Sequence, residues 1–204
     1  MKRILIFLLG LYLMVEFVLP GIAVCGAAVP SNSISLEITG VGTMLVPAWL
    51  QVNEAKNIDG IENINAQYDM TGLQQDTYHY ARTIIYKDNK DMGLAADLFN
   101  YVEFKEPLLQ MASDTLKGTV ERTLESNGAK LLQWYPIQKA AMGKQNAFLL
   151  EARLIATDKL PLPMFADIYV TVKDRHLTGV GFLCPDSDRM FWQPIFKQMV
   201  SQIQ

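Results

Sequence analysis

The 204 residues contain only two cysteines and two histidines, and that scarcity removes several kinds of chemistry. A zinc site needs clustered thiolates or imidazoles, and no pair of cysteines or closely spaced histidines is present. A hydrolase of the nucleophile-elbow type would show G-x-S-x-G, which does not occur. Gly40-Val41-Gly42 is no phosphate loop, because neither a further glycine nor a lysine follows at the needed spacing and no helix opens there. Asp186 and Asp188 lack the glycine and distal glutamate of a calcium loop. Basic clusters are missing too. With a formal charge of −3 the chain has no electrostatic footprint for nucleic acid, and no patch for an anionic membrane surface. The expectation is a non-enzymatic chain with no cofactor and no metal.

What is present begins at the N-terminus. MKRILIFLLGLYLMV places Lys2 and Arg3 before an unbroken apolar run from Ile4 to Val15, the layout of a secretory signal and too short to span a bilayer comfortably. Small residues follow from Gly21 to Ala28, where cleavage after Ala28 or Ala23 would suit a signal peptidase. Residues 1–28 are therefore expected to be a signal peptide, and residues 29–204 a single exported domain. The alternative is an uncleaved anchor over residues 4–28, since the apolar character resumes after Glu16. Ile22-Ala23-Val24-Cys25 also has the outline of a lipobox, with Val24 where a small residue is expected. Removal of the segment takes away Lys2, Arg3 and Glu16, which moves the charge from −3 to −4. Cleavage beyond Cys25 leaves Cys184 alone, so no internal disulfide can form. Packing must then hold the domain together.

Period and punctuation give the elements. ISLEITGVGTMLVPAWLQV reads as a strand, a glycine turn and a second strand that Pro47 ends. The polar stretch Asn57 to Gly72 reads as a loop or short helical turn. Asp76 to Asp88 is a strand with Tyr78, Tyr80, Arg82, Ile84 and Tyr86 on one face and His79, Ala81, Thr83 and Ile85 on the other. Both faces are mixed, so burial is not legible. Leu94, Leu98 and Val102, with Ala95 and Phe99 beside them, predict one helix; Pro107 opens another. Its inner face is Leu109, Ala112, Leu116, Val120 and Leu124, and Asn127-Gly128 stops it.

Strands return afterwards. Lys130 to Trp134 and Ile137 to Met142 lead to Phe148, Leu150, Ala152 and Leu154, which alternate with Glu151 and Arg153 as in a half-buried strand. After the loop around Pro161 and Pro163 come Ala166, Ile168, Val170 and Val172 on one face. A turn at Lys173 to His176 then leads to Val180, Phe182 and Cys184 facing inward. Cys184 thus reads as a small buried hydrophobe at a strand end, not a reactive thiol. Pro185 stops the strand, Ser187 or Asp186 caps the next turn, and Phe191, Trp192, Ile195, Phe196, Met199, Val200 and Ile203 form a helical stripe. Pro194 predicts a kink, or a helix that begins there.

One group offers a binding face. Tyr78, Tyr80 and Tyr86, with His79 between them, could present rings of large contact area at low entropy cost. The plainer reading is that the rings pack under a helix with hydroxyls reaching water, and that His79 is an ordinary strand residue.

ADIYVTVKDRHLTGVGFLCPDSDRMFWQPIFKQMVSQI resembles the closing hairpin and helix of PsbP-like domains, a group that includes DcrB-type bacterial exported proteins. VGTMLVPAWLQV resembles their glycine-strand-proline-tryptophan opening. The resemblance implies an α+β domain, an antiparallel sheet flanked by helices in an α/β/α sandwich, and implies no catalytic residues. Fold likeness does not deliver function. The expectation is an exported domain, periplasmic or in the cell envelope, that binds a protein partner or assists an envelope assembly. A small-molecule or lipid carrier is the alternative, and membrane contact would come only through the N-terminal segment.

Overall fold

The computed structural model describes residues 34–38, 40–55, 63–93, 96, 105–156 and 162–204. The expected signal or anchor, the helix stripe Leu94–Leu98–Val102 and the loop through Pro161 lie outside them. Ten strands and two longer helices are described: β1 Ile34–Ile38, β2 Gly42–Val46, β3 Gln51–Glu54, β4 Ile64–Gln74, β5 Thr77–Lys87, α1 Glu106–Ser126, β6 Ala129–Trp134, β7 Gln138–Met142, β8 Gln145–Ala156, β9 Pro163–Lys173, β10 His176–Pro185 and α2 Arg189–Ser201. A single 3-10 turn, Asp186–Asp188, joins β10 to α2.

The main sheet runs β3-β4-β5-β10-β9-β8-β6, with β7 also paired to β8, and every pairing is antiparallel. β6 and β7 are in effect one edge strand broken at Tyr135–Ile137, where Pro136 removes a donor. Two tight hairpins set the register. Gln75-Asp76 and Asp174-Arg175 all have positive φ, the mirror-image turn whose twist matches that of paired strands. β1 and β2 form a separate hairpin, and Pro47 ends it as the sequence predicts.

Because β5, β10, β9 and β8 are covered on both sides, the molecule has two cores. On one face Leu116, Val120 and Leu124 of α1 pack against Tyr86, Leu150, Ile168, Val170 and Leu183. On the other, Trp192, Phe196, Met199 and Val200 of α2 and the β1–β2 hairpin pack against Ile85, Phe165, Val180, Phe182 and Cys184. This is the expected antiparallel sheet flanked by helices. α1 starts with Pro107 in its first turn and stops at Asn127, before Gly128 at φ 75°.

Several expectations need correction. The stretch ending at Gly72 is no loop from Ile64 on: it is β4, whose pairing with β5 outweighs the polar composition. β3 was not legible as a separate strand. Ser113, not Ala112, lies on the inner face of α1, where its hydroxyl accepts bonds from Trp134 Nε1 (2.9 Å) and Ile137 N (3.3 Å). β8 is buried on both faces, so Glu151 does not point to water. Neither Ser187 nor Asp186 caps the turn; Asp186 instead takes Arg153. Pro194 lies inside α2, which begins at Arg189.

Phe196 is fully buried between Phe182 and Trp192. Phe196→Ala is expected to lose about 3–5 kcal/mol in urea melts, as for emptying a large core side chain. Lys197→Ala, on the exposed side, should stay within about 0.5 kcal/mol. Equal melts for the Phe196 variant and the parent would mean that α2 is a detachable arm.

Candidate functional site

Strand alternation decides where the candidate residues go. Tyr78, Tyr80 and Tyr86 share the α1 face of β5, yet they do not form one exposed ladder. Tyr86 is core, packed with the α1 cluster, because both faces of β5 are buried from Ala81 to Tyr86. Tyr80 donates to Asp69 Oδ1 at 2.6 Å, and Arg82 clamps the same carboxylate through Nε (2.6 Å) and Nη2 (3.1 Å). Burial and then the bond to Asp69 push the Tyr80 hydroxyl up, so it stays a donor and offers no base. Tyr78 alone is open, 55% exposed at the strand end opposite Leu73.

His79 belongs to the other face. Its ring stacks on Phe191 of α2 at 4.1 Å between centroids and 16° between planes. Trp49, in the turn after β2, meets the edge of Phe191 at 5.9 Å. His79 Nδ1 lies 3.4 Å from Asp188 Oδ1, close enough for attraction when the ring is charged but not placed as a hydrogen bond. Gly72, directly opposite His79 in the sheet, makes the stack possible: a Cβ there would lie 2.6 Å from Phe191 Cζ. This end of the sheet is the candidate site. Beside the stack the protein exposes Trp49 (50%) and, on the first turn of α2, Met190 (83%); Leu73 (53%) and Tyr78 (55%) are exposed at the same end of the sheet but on its α1 face.

Below it, on the α2 face, lies a buried polar cluster. Glu151 and Asp167 stand directly opposite each other on β8 and β9. Glu151 accepts from Gln138 Nε2 (2.9 Å) and Gln193 Nε2 (2.5 Å), with Arg189 Nη2 at 3.9 Å. Arg189 spreads over the Tyr135 and Phe165 rings, at 4.9 and 4.1 Å, and donates to Tyr135 Oη at 2.7 Å. Asp167 is fully buried, no amide or guanidinium donates to either of its oxygens, and Glu151 is its side-chain partner. Burial, and then the Glu151 charge, push its carboxyl up to about 8. Arg153 and Asp186 close the rim with a two-pronged pair at 2.9 and 2.5 Å.

Cys184 sits in the same core, completely buried. Burial first, and then the neighbouring acids, push its thiol up, which is the inert thiol expected of the inward alternation. Among the described residues no His/Cys/Asp/Glu group could hold a metal ion, and no helix is long and apolar enough to cross a membrane.

Sequence reasoning missed Trp49, Leu73 and Met190, and missed the acid pair. Signals existed for both. Trp49 follows a proline in a turn, where a large ring has no strand to pack it. Asp167 interrupts an otherwise apolar strand, MFADIYV, and Glu151 shares the apolar FLLEARLIA with only one other charge, Arg153.

No family model matches the chain, and no curated protein matches it. Solved structures of similar arrangement include the cyanobacterial PsbP protein CyanoP from Synechocystis sp. PCC 6803, at 14% identity and a TM-score of 0.46, over 90% of this chain and 98% of that one. Another is LpqN, described as involved in cell envelope biogenesis of Mycobacterium tuberculosis (12%, TM-score 0.43, 84% and 88% covered). The Ran-binding protein Mog1p of Saccharomyces cerevisiae follows (12%, TM-score 0.39, 85% and 93%). A PsbP structure thus stands among the neighbours, as the two sequence stretches led one to expect; no DcrB-type protein is among these three. The fold assignment itself rests on strand order and the two helix layers.

Gly72→Ala tests the geometry of the stack. The added methyl collides with a ring pinned between His79, Trp49 and Trp192, so about 1–3 kcal/mol should be lost in urea melts. A variant as stable as the parent would mean that the Phe191 ring moves aside freely.

Proposed function

We propose that this chain is an exported, non-enzymatic domain that binds a protein partner through the aromatic end of its sheet. The observation that carries the reading is the exposure of Trp49 and Met190 beside the fixed His79–Phe191 stack, with Leu73 and Tyr78 exposed on the other face of the same sheet end. Rings held by packing lose little freedom when a partner covers them, and tryptophan and tyrosine dominate binding energy at protein interfaces. The charged groups nearby serve structure: Asp69 holds Arg82 and Tyr80, and Asp186 holds Arg153. Export rests on the N-terminal charges and apolar run. The carrier alternative would use a pocket between sheet and helix. Among the described residues, one cleft of about 600 Å³ lies between the β7–β8 turn and the chain end at Ile203 and Gln204, and another of about 620 Å³ lies beside the β1–β2 hairpin and Lys173.

The test is a native pull-down of the tagged full chain from envelope extract, with mass spectrometry of everything retained. The double variant Trp49→Ser, Met190→Ser removes two exposed side chains; Met190→Ser should cost no more than about 0.5 kcal/mol, and Trp49→Ser about 0.5–1.5 kcal/mol more for its edge contact with Phe191, so a melt confirms that the variant is folded. The parent is expected to retain a stoichiometric protein, and the variant to bind it at least about tenfold more weakly. Undiminished capture by the variant places the interface elsewhere. A lipid or metabolite in place of a protein contradicts the reading in favour of a carrier.

A further inference from the structure

Two carboxyl groups facing each other inside a protein cannot both be ionised without strong opposing charge. Glu151 and Asp167 are such a pair, adjacent across β8 and β9 and covered by the first turn of α2. Their surroundings are unequal. Two amides and the Arg189 guanidinium converge on Glu151, while no amide or guanidinium donates to Asp167, whose one side-chain partner is Glu151 itself. Asp167 is therefore the member that keeps a proton. Arg189 and Gln193, which hold Glu151, both belong to α2. The acid pair is thus the polar half of that helix's seat.

We propose that the Glu151–Asp167 pair is a proton-controlled latch on the first turn of α2: with one proton held by the pair the turn stays seated, and loss of that proton lifts it.

The titratable and charged groups around Asp167 come from every packed element. Those that act on it directly are Glu151 from β8, Tyr169 from β9, Cys184 from β10 and Arg189 from α2; one step further out, Asp186 and Asp188 of the 3-10 turn act on Cys184, with Arg153 held by Asp186, His79 beside Asp188 and Tyr135 taking Arg189. Acids outnumber the two arginines, and Arg153 is already committed to Asp186. A charge on Asp167 would therefore have only Arg189 to meet it, and Arg189 is shared with Glu151 and Tyr135.

The sign of the pH dependence follows. Asp167 holds its proton in the seated form up to about pH 8, and an exposed aspartate does so only to about 4. Between those limits the seated form binds one proton more than the lifted form. Its advantage is complete at low pH, falls as pH rises through that window, and changes no further above about 8. Phe191 and Met190 ride on the same turn, so the latch would also set how the aromatic end is presented. That consequence rests on the function proposed above; the latch itself does not.

Cys184 reports the opening, because it lies under α2 and is inaccessible in the closed form. Thiol labelling of the full chain would be read by mass spectrometry on Cys184 itself. At each pH the rate is divided by that of the urea-unfolded chain, which removes the thiol's own ionisation. The ratio should rise about tenfold per pH unit between pH 5 and 8 and then level off. Below the unfolding transition it should depend little on urea, as for a local lift. Asp167→Asn, which mimics the protonated acid, should label slowly at every pH. If that variant does not fold, Glu151→Gln serves instead: without the like charge, the rise should level off at a lower pH. A flat ratio in the parent, a parental slope in Asp167→Asn, an unmoved plateau in Glu151→Gln, or a rate that climbs with urea from the start would each overturn the latch. No partner is involved in this measurement, so its failure leaves the proposed interface standing, and the failure of that interface leaves the latch standing.

Discussion

Three stacked rings hold the second layer of this molecule in place. Phe182 of β10 lies 3.9 Å from Phe196, and Phe196 lies 5.2 Å from Trp192, with planes within 18° of parallel. Stacking at such distances adds to the area that the rings remove from water. The stack fixes α2 both along and around its axis, and other contacts then follow. Gln204, just past the helix, exchanges two backbone bonds with Thr43 of β2, tying the β1–β2 hairpin to the C-terminus. Gly143 donates to Val200 O, and Gly42 and Gly143 leave room for the chain end to pass close by. At the other end of the helix the same seating puts Phe191 on His79 and Arg189 over Tyr135 and Phe165.

The polar groups beneath α2 oppose this packing as much as they assist it. Burying a charged Asp167 opposite Glu151 is unfavourable, and keeping it neutral is the least costly solution. Glu151, by contrast, is held by donors from both β7 and α2. A purely apolar seat would hold α2 with no regard to protons. Here one face of a helix combines an aromatic stack that is indifferent to pH with an acid pair that is not. The first secures the helix, and the second makes its first turn the part most easily released.

Legibility from sequence followed how strongly each residue type speaks for itself. Alternation placed Val180, Phe182 and Cys184 correctly, and Ala166, Ile168, Val170 and Val172 likewise, because apolar residues on one face have few other places to go. α1 was read from Pro107 to Asn127 for the same reason, with a proline in its first turn and Asn127-Gly128 at its end as punctuation. β4 was missed because Asn65, Gln67, Asp69 and Thr71 occupy one of its faces, and a polar face looks like a loop until its partner strand is known. Gln67 is in fact fully buried. The tyrosines of β5 misled in the opposite sense: spacing put three on one face, but depth varies along a strand, and only the sheet neighbours reveal that Tyr86 is core and Tyr78 is open. His79 and Phe191 lie far apart in the chain, so no local pattern could join them.

Amide hydrogen exchange of α2 at about pH 6, where the acid pair still keeps its proton, tests the central claim most directly. If the ring stack makes α2 part of the cooperative core, the amides from Phe196 to Val200 should exchange as slowly as those of β9 and β10, through global unfolding. Fast exchange in α2 while the sheet stays protected would contradict the account. The helix would then be a loosely attached layer, and neither the His79–Phe191 stack nor the aromatic end around it would be a fixed surface.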